Sequence, residues 1–171
     1  MTGLVFVDTN VLLYAVDTSD GTKHRSAREW MDKLWRDRTG RTSVQVLGEF
    51  YVNATRLLSR GLSKEQAWEH VVALSEWAPQ PIDFQILEFG QQVQARHGLS
   101  WWDSLIVAAA HAQGCGILLT EDLQHDADYA GVTAVNPFIA RVQDAPGRYA
   151  PALPSPPLRG RGRPKKAAST A

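Results

Sequence analysis

The chain has 171 residues, 44% of them hydrophobic, enough to bury one sizeable core. Its 18 basic and 18 acidic side chains cancel overall but not locally: residues 1–143 hold 12 Lys and Arg against 17 Asp and Glu, and residues 144–171 hold 6 against 1. A single cysteine, Cys115, excludes an internal disulfide and a cysteine-built zinc site, and its apolar surroundings suit a packed thiol.

In chain order, Leu4-Val5-Phe6-Val7 is a short β-rich run that predicts a buried strand, stopping at Asp8-Thr9-Asn10 before a helix-like stretch from Val11 to Val16. Ala27, Trp30, Met31, Leu34 and Trp35 recur at the spacing of an amphipathic helix. A second strand is expected near Arg41-Thr42-Ser43, and Ser43 caps a helix from Val44 to about Leu58. Ser63-Lys64-Glu65-Gln66 is a capping-box pattern for a helix reaching about Trp77, broken by Pro79 and Pro81. Asp83 caps a further helix that ends near His97-Gly98. Ser100 opens another, whose inner stripe is Ile106, Val107 and Ala110. Ile117-Leu118-Leu119 predicts a buried strand followed by the acidic turn Thr120-Glu121-Asp122, and Thr133 to Val135 a last short one.

Strands alternating with helices define an α/β protein, a sandwich with a central, mostly parallel sheet. No apolar run approaches a membrane span, and the N-terminus lacks a basic stretch followed by an apolar one, so the expectation is a cytoplasmic protein with no membrane contact. After about Val142 the composition turns proline-rich and basic, which divides the chain into a folded domain, 1–142, and an unstructured tail, 143–171. Within the tail, Arg161-Gly162-Arg163-Pro164 followed by Lys165 and Lys166 resembles the AT-hook core, whose arginines enter the narrow minor groove of A·T-rich DNA. The plainer alternative is a solvated extension that attracts any polyanion.

Ligands of parallel α/β sheets collect outside the carboxyl ends of the strands, where Asp8 and Asp122 fall. Glu49, bordered by Val46 and Val52, and Asp103, heading the stripe of Ile106 and Val107, are placed to join them. Each acid also has an ordinary use: Asp8 as a helix cap, Glu49 paired with an arginine, Asp103 in a capping box with Ser100, Asp122 in a turn. Four carboxylates at one end of one sheet need a compensating cation. Oxygen-only donors favour Mg²⁺, or Mn²⁺, over zinc, and the five histidines show no zinc-ligand spacing. Because Mg²⁺ takes one or two direct carboxylates, Asp8 and Asp103 are expected as principal ligands, with Glu49 and Asp122 acting directly or through water. Asn10, Ser104 and Thr120 are short polar neighbours suited to orient these acids or a water, or to serve turns and caps. The chemistry such a cluster permits is phosphodiester hydrolysis.

Four segments carry a family resemblance: Val7-Asp8-Thr9-Asn10-Val11-Leu12, Ser43 to Phe50 with Glu49, Trp102 to Ala110 with Asp103, and Leu119 to His125 with Asp122. In order and spacing they resemble the PIN-domain family over nearly all of residues 4–139, in the form of VapC-type toxin ribonucleases; Asn136-Pro137-Phe138 is similar to the ending of those toxins. The resemblance implies a PIN-like α/β/α sandwich, with Asp8 and Asp103 as metal ligands and Glu49 and Asp122 in the same acidic site. It also implies a metal-dependent endoribonuclease acting on structured RNA, commonly a homodimer held inactive by a VapB-type antitoxin. Gln124 stands where many PIN domains carry a further acid, a departure that bears on a second metal position. Two alternatives stay open: a catalytically silent PIN-like nucleic-acid-binding module, and a haloacid-dehalogenase-type phosphatase. The phosphatase pattern needs a second Asp where Asn10 stands.

Overall fold

A computed structural model describes residues 3–56 and 61–139; the basic tail with Arg161, Arg163, Lys165 and Lys166, and the expected helix end at Leu58, lie outside the described residues. The elements run β1 (Val5–Val7), α1 (Thr9–Val16), α2 (Gly21–Asp37), β2 (Gly40–Arg41), α3 (Val44–Arg56) and α4 (Lys64–Leu74) with a 3-10 turn at Ser75–Trp77. They continue through α5 (Phe84–His97), α6 (Trp101–Ala112), β3 (Ile117–Leu119), β4 (Asp128–Tyr129) and β5 (Val132–Val135).

The five strands form one sheet in the order β2-β1-β3-β5-β4, parallel except where β4 returns antiparallel to β5. The central strands are apolar throughout because helices cover both their faces: Phe6, Val7, Leu118 and Leu119 are fully buried. Helices α1 to α4 pack among themselves, and α5 pairs with α6 through Ile86, Leu105 and Ala108. The architecture is the expected α/β/α sandwich.

Local capping sets the helix ends. Asp20 accepts from Thr22 N and Lys23 N at the head of α2, and Asp83 accepts from Ile86 N at the head of α5. Both halves of the Ser63–Gln66 capping box form at α4. Two boundaries differ from the sequence reading: α1 begins at Thr9 because Asp8 itself caps it, and β2 is Gly40–Arg41 rather than Arg41 to Ser43; α3 starts at Val44 as expected, with Ser43 Oγ accepting from Val46 N at 3.3 Å. Of the β4–β5 hairpin the sequence predicts β5 and not β4; the two-residue turn between them, Ala130-Gly131, takes φ of 57° and 84°. A turn with both central residues left-handed matches the twist of a hairpin, but Ala is an unusual choice for the first of them.

At the edge of the sheet, β2 lies under the ring of Trp77, which is 4% exposed and packs on Trp35 at a centroid distance of 4.9 Å. A Cβ on Gly40 would stand 2.5 Å from two Trp77 ring carbons. Gly40→Ala is therefore expected to destabilise the protein by about 1–3 kcal/mol through overpacking, read by chemical denaturation. An unchanged midpoint would show that the indole can retreat.

Candidate functional site

The register of β1 on β3 builds the site. Val7 pairs with Leu119, and Asp8 N donates to Leu119 O at 3.0 Å, so the residues that follow, Asp8 and Thr120, emerge side by side at the carboxyl edge. On the other flank, Thr42 Oγ1 donates to Val7 O at 3.3 Å, which ties the segment leading into α3 to the same edge.

Asp8 is 7% exposed and almost wholly enclosed by donors. Thr9 N donates to its Oδ1 at 2.6 Å, and Thr120 Oγ1 donates to its Oδ2 at 2.7 Å. Asn10 Nδ2 lies 3.3 Å from the same Oδ2, 3.2 Å from Thr120 Oγ1 and 2.8 Å from Asp122 Oδ2. With three acceptors around it, that atom must be the amide nitrogen, which fixes the side-chain orientation. Asp122 N in turn donates to Thr120 Oγ1 at 3.1 Å. Glu49 enters from α3: its Oε2 accepts from Thr9 Oγ1 at 2.8 Å and its Oε1 from Gln45 Nε2 at 3.0 Å.

Burial is the largest influence on Asp8 and raises its pKa; the nearby carboxylates of Asp122 and Glu49 push it further, while the Thr120 hydroxyl and the Thr9 N–H pull it down. The balance stands at about 6. The cluster thus holds a buried carboxylate among like charges, an arrangement that a cation relieves.

Asp103 sits in the first turn of α6, where Ser100 Oγ accepts from its N–H at 3.1 Å and donates to its Oδ2 at 2.6 Å. Its capping use is thus realised. Ser104 is buried and its hydroxyl donates to Ser100 O at 2.7 Å, within its own helix. The geometry therefore knits Asp8, Glu49, Asp122, Asn10 and Thr120 into one hydrogen-bonded group, and leaves Asp103 and Ser104 bonded to Ser100.

Among the described residues, no three of His, Cys, Asp and Glu come close enough to bind one metal ion together. The hydroxyls and amide between the carboxylates explain the spacing. A hard ion that keeps several waters and takes one or two direct carboxylates fits this donor set, whereas a fully protein-ligated ion does not. Asn10 Oδ1, buried and without a hydrogen-bond partner among the described residues, is a further oxygen in the same group.

Sequence reasoning missed a second set of contacts beside the cluster. Lys23 Nζ donates to Glu121 Oε2 at 2.5 Å and to Tyr14 Oη at 3.0 Å. It lies over the rings of Tyr14, 4.5 Å, and Phe138, 5.0 Å, which meet edge to face. The hydrogen bond to Glu121 holds the Lys23 ammonium well above the usual lysine range. The adjacent acids Glu121 and Asp122 are thereby separated: one is anchored to α2, the other faces Asn10. Lys23 is 98 residues from Glu121, so no local signal announces the pair.

A mostly parallel α/β/α sandwich with a carboxylate cluster at its carboxyl edge is the class of protein that fold and site define. Residues 5–128 match the PIN domain, and the chain belongs to the PIN-domain family. Among solved structures it is similar to a toxin-antitoxin complex from Klebsiella pneumoniae, at 21% identity and a TM-score of 0.56, over 78% of this chain and 97% of that one. It is also similar to VapC20 of Mycobacterium tuberculosis, a toxin that cleaves the sarcin-ricin loop. That match has 20% identity and a TM-score of 0.52, over 69% of this chain and 89% of that one. At these identities the likeness is one of fold. No curated protein matches the chain. No helix among the described residues is long and apolar enough to cross a membrane.

Proposed function

We propose that this PIN-domain protein is a divalent-metal-dependent endoribonuclease, the toxin of a toxin–antitoxin pair, with its nuclease domain in residues 1–142. The observation that carries the reading is the buried Asp8 carboxylate, bonded to Thr9, Asn10 and Thr120 and pressed by Asp122 and Glu49 at the carboxyl edge of a parallel sheet. Asp8 and Asp103 are the residues proposed to hold Mg²⁺ or Mn²⁺, with Glu49 and Asp122 contributing directly or through water. When bound, the ion supplies charge neutralisation and a water of lowered pKa for attack on a phosphodiester.

The chain's own groups do the rest. Thr120 and Asn10 hold Asp8 and Asp122 in one hydrogen-bonded group, and Thr9 and Gln45 bond to one carboxylate oxygen of Glu49 each. The enclosing strands and helices exclude bulk water from Asp8, which strengthens its attraction for a cation. Similarity to a toxin-antitoxin complex and to a toxin that cleaves an RNA loop supports a VapB-type antitoxin as partner and structured RNA as substrate.

Purified protein incubated with total RNA is expected to cut it with Mg²⁺ or Mn²⁺ and to stop in excess EDTA. Cutting that persists in EDTA overturns the metal-dependent mechanism. Binding of RNA without cutting under either metal turns the reading to the silent binding module.

A further inference from the structure

Glu49 has a second side. Beyond the acid cluster it forms one wall of an open groove of about 680 Å³, whose other walls are Val44, Gln45 and Gly48 of α3, Pro81 and Ile82 of the α4–α5 connection, and Trp102 of α6. That volume lies within the range of about 300–1,000 Å³ typical of ligand pockets. The walls are held rigidly: Val44 N donates to Gln80 O at 3.0 Å, and Gln80 N donates to Thr42 O at 3.0 Å, so the segment before Pro81 is stitched to the head of α3. Yet the apolar side chains facing the groove are left open to solvent. Trp102 is 60% exposed and Val44 53%, and Ile82 is exposed as well. A Cβ on Gly48 would meet nothing within 4 Å, so the floor beside Glu49 stays clear.

The charge pattern selects the occupant. Among the described residues, Glu49 is the one charged group lining the groove, and no Lys or Arg lines it. A phosphate backbone would be repelled there, whereas a flat, uncharged ring would find an indole, aliphatic walls, the Glu49 carboxylate and the Gln45 amide as hydrogen-bonding groups. The groove begins at a carboxylate of the candidate metal site, and a base lies one sugar away from its phosphate. We propose that Trp102 is the stacking platform for an unpaired base next to the scissile phosphate of the RNA substrate. The proposal rests on the ribonuclease reading and adds to it a recognition subsite for single-stranded RNA, since bases stacked within a duplex cannot reach an aromatic side chain.

The test uses the full chain and short single-stranded RNAs carrying 2-aminopurine at successive positions, whose fluorescence falls when the base stacks. Binding is measured in EDTA, which prevents metal-dependent turnover, and KM and kcat are measured separately with Mn²⁺. Trp102→Ala is expected to weaken binding about 5- to 150-fold, the range for loss of one stacked base, and to abolish quenching at one position. In turnover the loss should fall mainly on KM. Trp102→Phe, still aromatic, should keep most of the affinity, and Trp102→Leu should behave as the Ala variant. Because Trp102 is largely exposed, equal thermal midpoints are expected for all four proteins.

Unchanged RNA affinity in Trp102→Ala overturns the platform. So does a Leu variant that binds as well as Phe, which would mean generic apolar burial suited to an antitoxin peptide. A change in oligomer mass with RNA affinity intact would assign the groove to a second copy and overturn it too. The two readings fail differently. A wild-type protein that quenches but never cuts loses the ribonuclease reading and keeps the platform; one that cuts with KM indifferent to Trp102 loses only the platform.

Discussion

Asp8→Asn is expected to lower metal-dependent RNA cleavage by roughly a thousandfold or more, without unfolding the protein. The magnitude follows from what a bound ion contributes: several kcal/mol of transition-state charge stabilisation, at about 1.4 kcal/mol for each factor of ten. The substitution attacks that contribution twice. It removes the buried negative charge that draws the cation into the cluster. It also places an NH₂ group where Oδ2 now accepts from Thr120 Oγ1 at 2.7 Å and faces Asn10 Nδ2 at 3.3 Å. Donor then meets donor, so Asn10 must shift, and the 2.8 Å bond by which it orients Asp122 loosens with it. Thr9 N still finds an acceptor in the amide oxygen, which keeps the helix cap and hence the fold. Single-turnover cleavage with saturating Mn²⁺ measures the loss directly. Activity within tenfold of the parent protein would place the reactive centre elsewhere.

How much of this was legible in the sequence depends on the range of the interaction. Strands β1 and β3 announce themselves because each is an unbroken apolar run that stops at a polar residue, and the acids just beyond, Asp8 and Asp122, inherit their position from that stop. The caps at Ser43, Ser63, Asp83 and Ser100 are local too. Gln45, four residues before Glu49 on the same helix face, was within reach of the same spacing argument that flagged Val46 and Val52. The support of Glu49 by Thr9 and the pairing of Lys23 with Glu121 were not, since they span 40 and 98 residues and depend on how helices settle on the sheet. Strand β4 is too short for alternation to register, and the turn after it hides behind Ala130. Asp103 is the instructive case: the pattern that suggested a ligand also described a cap, and the bonds to Ser100 realise the cap.

The metal-free protein should grow less stable as pH rises from 4 to 7, by about 2 kcal/mol on account of Asp8 alone. In the folded state the pKa of this carboxyl is near 6, against an ordinary value of 3.8 in the unfolded chain. The folded form therefore holds a proton that the unfolded form has already released. Below pH 3.8 both states are protonated and the contribution of Asp8 is fully present; it fades as pH climbs through 6, above which the fold must keep a desolvated charge. The size follows from about 1.4 kcal/mol per pKa unit. For a domain of this length it corresponds to roughly 4–8 °C in thermal midpoint. Other groups titrate over the same interval, so the telling quantity is the difference between the parent protein and Asp8→Asn, both in EDTA. That difference should widen in favour of the variant by about 2 kcal/mol between pH 4 and pH 7. Saturating Mn²⁺ at pH 7 should close it by stabilising the parent alone, because a cation binds the carboxylate that the fold otherwise penalises. At pH 4.5 the same ion must compete with the proton on Asp8, and its effect should shrink. Parallel pH profiles for the two proteins would mean that Asp8 does not carry the strain assigned to it, and the argument for a cation at this edge would lose its electrostatic foundation.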